Sequence, residues 1–185
     1  MFSIVHYDDV CTKKSKTDSD ELIQKPKERK PKSADQALSS LMRLCSRAEK
    51  SSGDAMRLMR TWQVPESERQ AVLERLISMR FIDDSRYAEA YVREKSSLAG
   101  WGARKIAQQL RIKGISREII ASALATLDNE ALAERLEERL RKKLRTTKYI
   151  STYDLRGKLL RYALSLGYDY DVVADVVSRI VQCDD

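Results

Sequence analysis

The chain has 185 residues, and its 35 Lys and Arg against 28 Asp and Glu give a formal net charge of +7 at pH 7. A chain of this length can bury roughly 70% of the surface that its unfolded form exposes, so a hydrophobic core is possible without disulfide bonds. The cationic excess favours polyanionic partners through long-range attraction.

The composition also argues against several classes of function. The single histidine, His6, lies near the N-terminus, which disfavours His-based catalysis and His-rich metal sites elsewhere in the chain. The three cysteines are far apart and none lies in a CxxC motif, which is typical of a protein from a reducing compartment. No apolar stretch approaches the roughly 20 residues that span a bilayer, and the N-terminus does not resemble a signal peptide. We therefore expect a cytoplasmic protein without membrane contact, cofactor or metal.

The N-terminal part of the chain is polar. Residues 11–33 mix Lys, Asp and Ser with two of the three prolines and contain almost no apolar residue. Such a segment cannot bury enough apolar surface to offset the entropy lost on ordering. We predict a disordered polar tail over residues 1–33.

From Ser33 onwards, apolar residues recur at helical spacing. The β-branched run from Val172 to Val181 follows the same period, because its apolar pairs recur every fourth residue instead of alternating. Gly, Pro, Ser and Asp breakers divide the chain into about nine helices. The predicted fold class is all-α.

The breakers also recur with a period of about 45 to 50 residues, which predicts three tandem three-helix repeats. Their predicted bounds are residues 34–82, 83–127 and 128–185. In the first repeat Pro65 opens the third helix, where the other two repeats have Gly-x-Ser or Gly-x-Asp. Repeats of this kind stack side by side, so we expect an elongated, curved array.

Two motifs in the second repeat suggest ligands that the rest of the sequence does not support. Gly100 to Lys105 matches only the first half of a GxGxxG loop and follows a predicted helix, whereas a dinucleotide loop follows a strand. The glycines are better explained as the end of one helix and a tight entry into the next. The helices around Gly114 resemble a helix-turn-helix, but the equivalent last helix carries three aspartates, which phosphates would repel.

Positive charge is concentrated on the middle helix of each predicted repeat. Between Gly102 and Lys113 the apolar residues form one stripe and the cations form the neighbouring row, without any acid. The third repeat shows the same pattern, and the first a weaker version in Arg57 and Arg60. A single basic helix face is usually only a solvated surface, but the recurrence indicates binding. The candidate binding residues, with neighbours on the preceding helix, are Arg86, Arg93, Lys95, Trp101, Arg104, Lys105, Gln108, Arg111, Lys113, Arg156, Lys158 and Arg161.

The second repeat contains a specific combination of motifs: Phe81-Ile82-Asp83-Asp84, Arg86-Tyr87-Ala88, Tyr91-Val92-Arg93, Gly102, Arg104-Lys105-Ile106, Leu110 and Lys113-Gly114-Ile115. In this combination it resembles the RecX family of bacterial regulators of the RecA recombinase. The chain departs from the family pattern at Arg80, where the family usually has Gly, at Ala103 in place of a common Pro, and at Gln109 in place of a common Glu.

The resemblance implies a non-enzymatic protein of three helical triplets that lies in the groove of the RecA filament on single-stranded DNA, and we expect a monomer. It implies inhibition of strand exchange, ATP hydrolysis and repressor cleavage. Two alternatives stay open. The chain could bind single- or double-stranded DNA directly, without RecA, or it could be a helical scaffold that binds some other acidic protein.

Overall fold

The structure of the chain is a computed structural model that describes residues 30–182. These residues form helices without strands, which confirms the predicted all-α class. Residues 1–29 of the predicted tail, which spans residues 1–33, lie outside the described residues. Within residues 30–182 the nine helices are α1 (Ala34–Cys45), α2 (Ser52–Thr61), α3 (Glu66–Ser78), α4 (Asp84–Ser97), α5 (Ala103–Ile112), α6 (Arg117–Leu124), α7 (Asn129–Leu144), α8 (Thr152–Ser165) and α9 (Tyr170–Gln182).

Side-chain caps explain why most of these helices begin where the sequence predicts a break. Five helices follow a Ser or Asp whose side-chain oxygen accepts a hydrogen bond from a backbone N–H of the first turn, which satisfies a donor without an intrahelical partner. These cap residues are Ser33, Ser51, Ser116, Asp128 and Ser151. Helix α3 instead begins after Pro65, which has no side-chain cap hydrogen bond.

The chain divides into two compact units at Asp83 and Asp84. In the described part of the first unit, α1 and α2 pack on α3 around the fully buried Leu41, Met59 and Leu76. The predicted tail, residues 1–33, is too long at its C-terminal end, because Lys32 and Ser33 take part in this unit. Lys32 donates its backbone N–H to the Trp62 carbonyl at 3.0 Å, and its ammonium lies 3.8 Å from the centre of the Trp62 ring. This cation–π contact and the Ser33 cap of α1 order the residues before the first helix.

The second unit contains two helical triplets. Helix α4 packs against α5 and α6, and its Tyr87 and Tyr91, which are one turn apart, are buried in the core. Helices α7, α8 and α9 pack on one another around fully buried residues that include Leu136, Leu159 and Ile180. The β-branched run is helical because five of its apolar residues, Val173, Val176, Val177, Ile180 and Val181, face this core, while Val172 is exposed.

One turn geometry recurs before the third helix of a triplet. After α5, the N–H of Ile115 bonds to the Leu110 carbonyl and Gly114 has a φ of +80°. After α2, Val64 bonds in the same way to Met59, and the residue with positive φ is Gln63, at +55°. Both turns are Schellman motifs, in which a left-handed residue ends the helix. The first triplet therefore places a glutamine where the second has glycine.

Candidate partner-binding surface

The N-terminal end of α5 lies against the C-terminal end of α8. The N–H of Gly102 donates to the Leu166 carbonyl at 2.9 Å, and the N–H of Arg104 donates to the Gly167 carbonyl at 3.1 Å. Helix α5 has neither a side-chain cap nor an acid in its first turn, and the α8 carbonyls take the place of both. The positive end of one helix dipole thus meets the negative end of another.

This contact explains the glycines around Trp101. A Cβ on Gly102 would overlap the carbonyl of Gly167, so Gly102 is required by a close approach of backbone and not by its own φ of −78°. Gly100 does have a positive φ, of +58°, and the Trp101 N–H after it bonds to the Lys95 carbonyl at 2.9 Å. Gly100 therefore ends one helix, as predicted, whereas Gly102 serves a packing contact that the sequence did not predict.

The same contact joins cations of two helices. Lys105 on α5 donates its ammonium to the carbonyl of Ser165 at 3.2 Å, and Arg161 lies one turn before Ser165 on the same face of α8. Arg104, Gln108 and Arg111 are exposed in the neighbouring row of α5. We call this set the α5–α8 basic surface; its members are Arg104, Lys105, Gln108, Arg111, Lys158 and Arg161.

Two acids partly neutralise this surface. Asp169 lies 3.6 Å from the Arg104 guanidinium, but both side chains are more than 60% exposed, so the pair is weak. Asp154 lies 2.7 Å from the Lys158 ammonium. Arg111 is exposed and forms no ion pair within residues 30–182. Five cations against two acids leave an excess of positive charge at the surface.

Arg156 does not lie with the other two cations of α8. Arg156 and Lys158 are two positions apart, which places their side chains on nearly opposite sides of the helix. Arg156 donates to the Ser178 hydroxyl of α9 at 2.8 Å, whereas Lys158 points to the loop before α8 and donates to the Lys148 carbonyl at 2.8 Å. The predicted row on α8 is therefore split between two flanks.

Two of the predicted lysines are buried. Lys95 is 7% exposed; its ammonium lies 2.9 Å from a Glu94 oxygen and about 5.5 Å from the ring centres of Tyr91 and Trp101. Lys113 is also 7% exposed. Helical periodicity places both lysines on the polar side of their helices. They can still be buried, because the long aliphatic part of a lysine side chain can pack along apolar neighbours. Both lysines are left out of the binding surface. Partly buried Trp101 lies between Lys95 and Lys105, whose ammonium is 4.8 Å from the centre of its ring.

The two remaining candidates are Arg86 and Arg93, which are exposed on α4. Arg93 and Arg135 line a cleft of about 430 Å³ beside α4 and α7, which Glu89 and Asp128 also line. The charges in this cleft balance, so it does not select an anion. Residues 30–182 contain no cluster of His, Cys, Asp or Glu arranged for a metal ion, and none of their helices is long and apolar enough to cross a membrane.

The sequence prediction missed an exposed aromatic group. Tyr149, Ile150 and Tyr153 are 50%, 95% and 89% exposed in the loop before α8 and in its first turn. A signal for them was present. Tyr149 and Ile150 precede the Ser151 cap, and Tyr153 is not in register with the inward stripe that begins at Leu155.

The chain is similar to known proteins of one family. Two family models match the chain: "RecX, second three-helix domain" over residues 83–124 and "RecX, third three-helix domain" over residues 130–177. A Clostridium beijerinckii protein named regulatory protein RecX is 30% identical over 147 residues, which are 78% of this chain and 68% of that protein. The chain belongs to the RecX family.

Further RecX proteins are similar over shorter regions. The regulatory protein RecX of Mycolicibacterium smegmatis is 38% identical over 62% of this chain and 63% of its own length, and that of Clostridium botulinum (strain Eklund 17B / Type B) is 36% identical over 55% and 48%. The chain thus matches between about half and two thirds of these relatives.

Solved RecX structures share the fold. The crystal structure of RecX from Lactobacillus salivarius superposes with a TM-score of 0.71 at 21% identity, over 81% of this chain and 97% of that one. A second crystal structure, of a regulatory protein RecX, gives a TM-score of 0.70 at 25% identity, over 75% and 68%.

Proposed function

We propose that this chain is a non-enzymatic regulator that binds the RecA filament on single-stranded DNA and mainly inhibits the recombinase, ATPase and coprotease activities of RecA. Membership of a family whose relatives are named regulatory proteins supports a regulatory role. We further propose that it acts in the cytoplasm as a monomer and without a cofactor.

The observation that carries this proposal is the α5–α8 basic surface. The contact between the α5 N-terminus and the α8 C-terminus joins cations from two triplets into one exposed area. A filament of protein and nucleic acid offers both phosphates and acidic side chains. Arginine suits both, because its planar guanidinium binds carboxylate and phosphate with two parallel hydrogen bonds.

The test is RecA-dependent ATP hydrolysis on single-stranded DNA, with the chain added at sub-stoichiometric amounts. We expect the wild-type chain to inhibit, and Arg111→Glu with Arg161→Glu to raise the half-inhibitory concentration at least tenfold. Both side chains are exposed, so the variant should keep its helicity and melting temperature. Turnover that stays unchanged with the wild-type chain would contradict the proposal.

A matched control separates a local surface from net charge. Arg43→Glu with Arg75→Glu makes the same change in charge at two exposed positions of the first unit. We expect this variant to inhibit as the wild-type chain does. Equal loss of inhibition in both double variants would show that only net charge matters.

Direct binding to nucleic acid without RecA is the second candidate, and the excess charge of the same surface favours it. If the chain inhibits by covering DNA, then adding more single-stranded DNA at a saturating RecA concentration restores ATP hydrolysis. A chain that acts on the filament continues to inhibit under these conditions. We expect the second result.

A further inference from the structure

The loop between α7 and α8 presents aromatic side chains to solvent at a highly basic place in the sequence. Tyr149 is 50% exposed, Ile150 is 95% exposed and Tyr153 is 89% exposed. Residues 141–161 contain eight Lys or Arg and a single acid, Asp154. Exposed aromatic rings among cations differ from ordinary surface, where large apolar side chains occur singly.

This loop is held in place by hydrogen bonds. Lys158 donates to the Lys148 carbonyl at 2.8 Å and to an Asp154 carboxylate oxygen at 2.7 Å. The same oxygen of Asp154 accepts the N–H of Ile150 at 3.3 Å, and the Lys158 hydrogen bond keeps the pKa of the Asp154 carboxyl below its ordinary value. The backbone that carries the rings is thus ordered before any partner binds, which lowers the entropy lost on binding.

A glycine lies beside the rings where the helix does not require one. Tyr153, Gly157 and Arg161 are spaced four residues apart, so they share one face of α8. A Cβ on Gly157 would meet only the Arg161 guanidinium, at 3.6 Å, although glycine in a helix interior costs about 1 kcal/mol relative to alanine. Between Tyr153 and Arg161 the face therefore carries no side chain of its own at Gly157, and only the flexible Arg161 guanidinium lies near it.

We propose that Tyr149, Tyr153 and the flanking Arg156 and Arg161 form a binding site for single-stranded nucleic acid. Bases stack on the two phenol rings, and the arginines bind the phosphates on either side. A duplex fits less well, because its bases are stacked on each other and cannot cover a ring. The site binds a single strand of any sequence, since every base has a face that can stack on an aromatic ring. It does not depend on RecA, so it extends the proposed function without resting on it.

An anionic membrane is the other surface that cations and aromatics suit. The face favours nucleic acid because its apolar part is small. Ile150 is its only aliphatic member among the described residues, and the apolar stripe of α8, including Leu155 and Leu159, is buried in the core. A helix that lies in a membrane interface needs such a stripe on its outer side.

The test is fluorescence anisotropy of the full chain with a labelled oligothymidylate, in the absence of RecA. We expect Tyr149→Ala and Tyr153→Ala each to weaken binding by on the order of tenfold, and Tyr153→Phe to retain it. Because these changes remove no charge, the dependence of affinity on salt should stay the same. Arg161→Gln should instead reduce the salt slope by about 0.7.

Tyr170→Ala is the matched control, since Tyr170 is an exposed tyrosine, 59% accessible, that begins α9 between Asp169 and Asp171. It should bind as the wild-type chain does. All changed side chains are exposed, and melting curves will show whether each variant is folded. Unchanged affinity in both tyrosine-to-alanine variants would overturn the proposal. So would equal losses with a duplex of the same length, or tyrosine-dependent binding to phosphatidylserine vesicles that exceeds binding to the oligonucleotide.

Discussion

Gln63 shows how a single residue carries a conformational cost. Its φ of +55° is in the left-handed region, where a side chain meets the following carbonyl and the energy rises by roughly 1–2 kcal/mol. Glycine takes this conformation freely, and Gly114 does so at the equivalent turn of the second triplet, with a φ of +80°. The hydrogen bonds of both turns are the same. The first triplet therefore has the same turn geometry as the second, but its glutamine makes the folded state less stable than a glycine would.

We therefore expect Gln63→Gly to stabilise the chain by on the order of 1 kcal/mol, measured by urea unfolding. The reciprocal change, Gly114→Gln, should destabilise it by a similar amount. Partner binding should not change in the first variant, since Gln63 is not part of the proposed surface. A loss of stability in Gln63→Gly would mean that the glutamine side chain makes a contact that outweighs its strained backbone.

The sequence is most informative about residues whose roles are local. The Ser and Asp caps act on the next three residues, and Tyr87 and Tyr91 follow the period of their own helix, so both could be inferred. The burial of Lys95 could not, because its ammonium depends on Trp101, which reaches it only after the chain turns at Gly100. Positive charge alone does not distinguish a buried lysine from an exposed one.

At the scale of elements, the end-to-end contact of α5 and α8 organises the second unit. It satisfies the N–H groups of Gly102 and Arg104 with the carbonyls of Leu166 and Gly167, and it aligns the basic faces of two triplets. The sequence shows the acid-free start of α5, yet the partner of that start is more than 60 residues away. Spacing and periodicity describe one helix at a time, so they predicted the helices and not this contact.

This contact makes Gly102 sensitive to substitution. A Cβ at this position would overlap the backbone of Gly167 and Tyr168, and backbone cannot move aside as a flexible side chain can. We expect Gly102→Ala to destabilise the chain by about 1–3 kcal/mol, as overpacking does in cores. Thermal unfolding followed by circular dichroism measures the effect.

Gly157→Ala is the control for this prediction. It adds the same methyl group in a helix interior, where the nearest atom would be the end of the flexible Arg161 side chain at 3.6 Å. It should raise stability by roughly 1 kcal/mol, because alanine has the higher helix propensity. Equal effects of the two changes would show that the α5 and α8 ends are not in tight contact.

At the scale of the whole molecule, the net charge of +7 attracts any polyanion. The distribution of the cations over the surface determines which of them contact DNA and which contact protein. Arg161 shares a helix face with Tyr153 and Gly157, which places it beside the proposed site for a nucleic-acid strand. Arg111 lies near the C-terminal end of α5, away from the α5–α8 contact. The two arginines should therefore face different parts of a filament, the first its DNA and the second its protein.

Salt dependence distinguishes these two surfaces, because a phosphate contact releases condensed counterions and a contact with an acidic protein side chain does not. The measurement is the half-inhibitory concentration of the chain on the RecA ATPase, between about 50 and 200 mM salt, with RecA alone measured at each concentration. We expect Arg161→Gln to lower the slope of this concentration against salt, on logarithmic axes, by about 0.7. Arg111→Gln should weaken inhibition with a smaller change in slope, and Arg75→Gln should change neither. Equal slopes for the two surface variants would contradict this division and would indicate that the α5–α8 basic surface meets one kind of polyanion along its whole length.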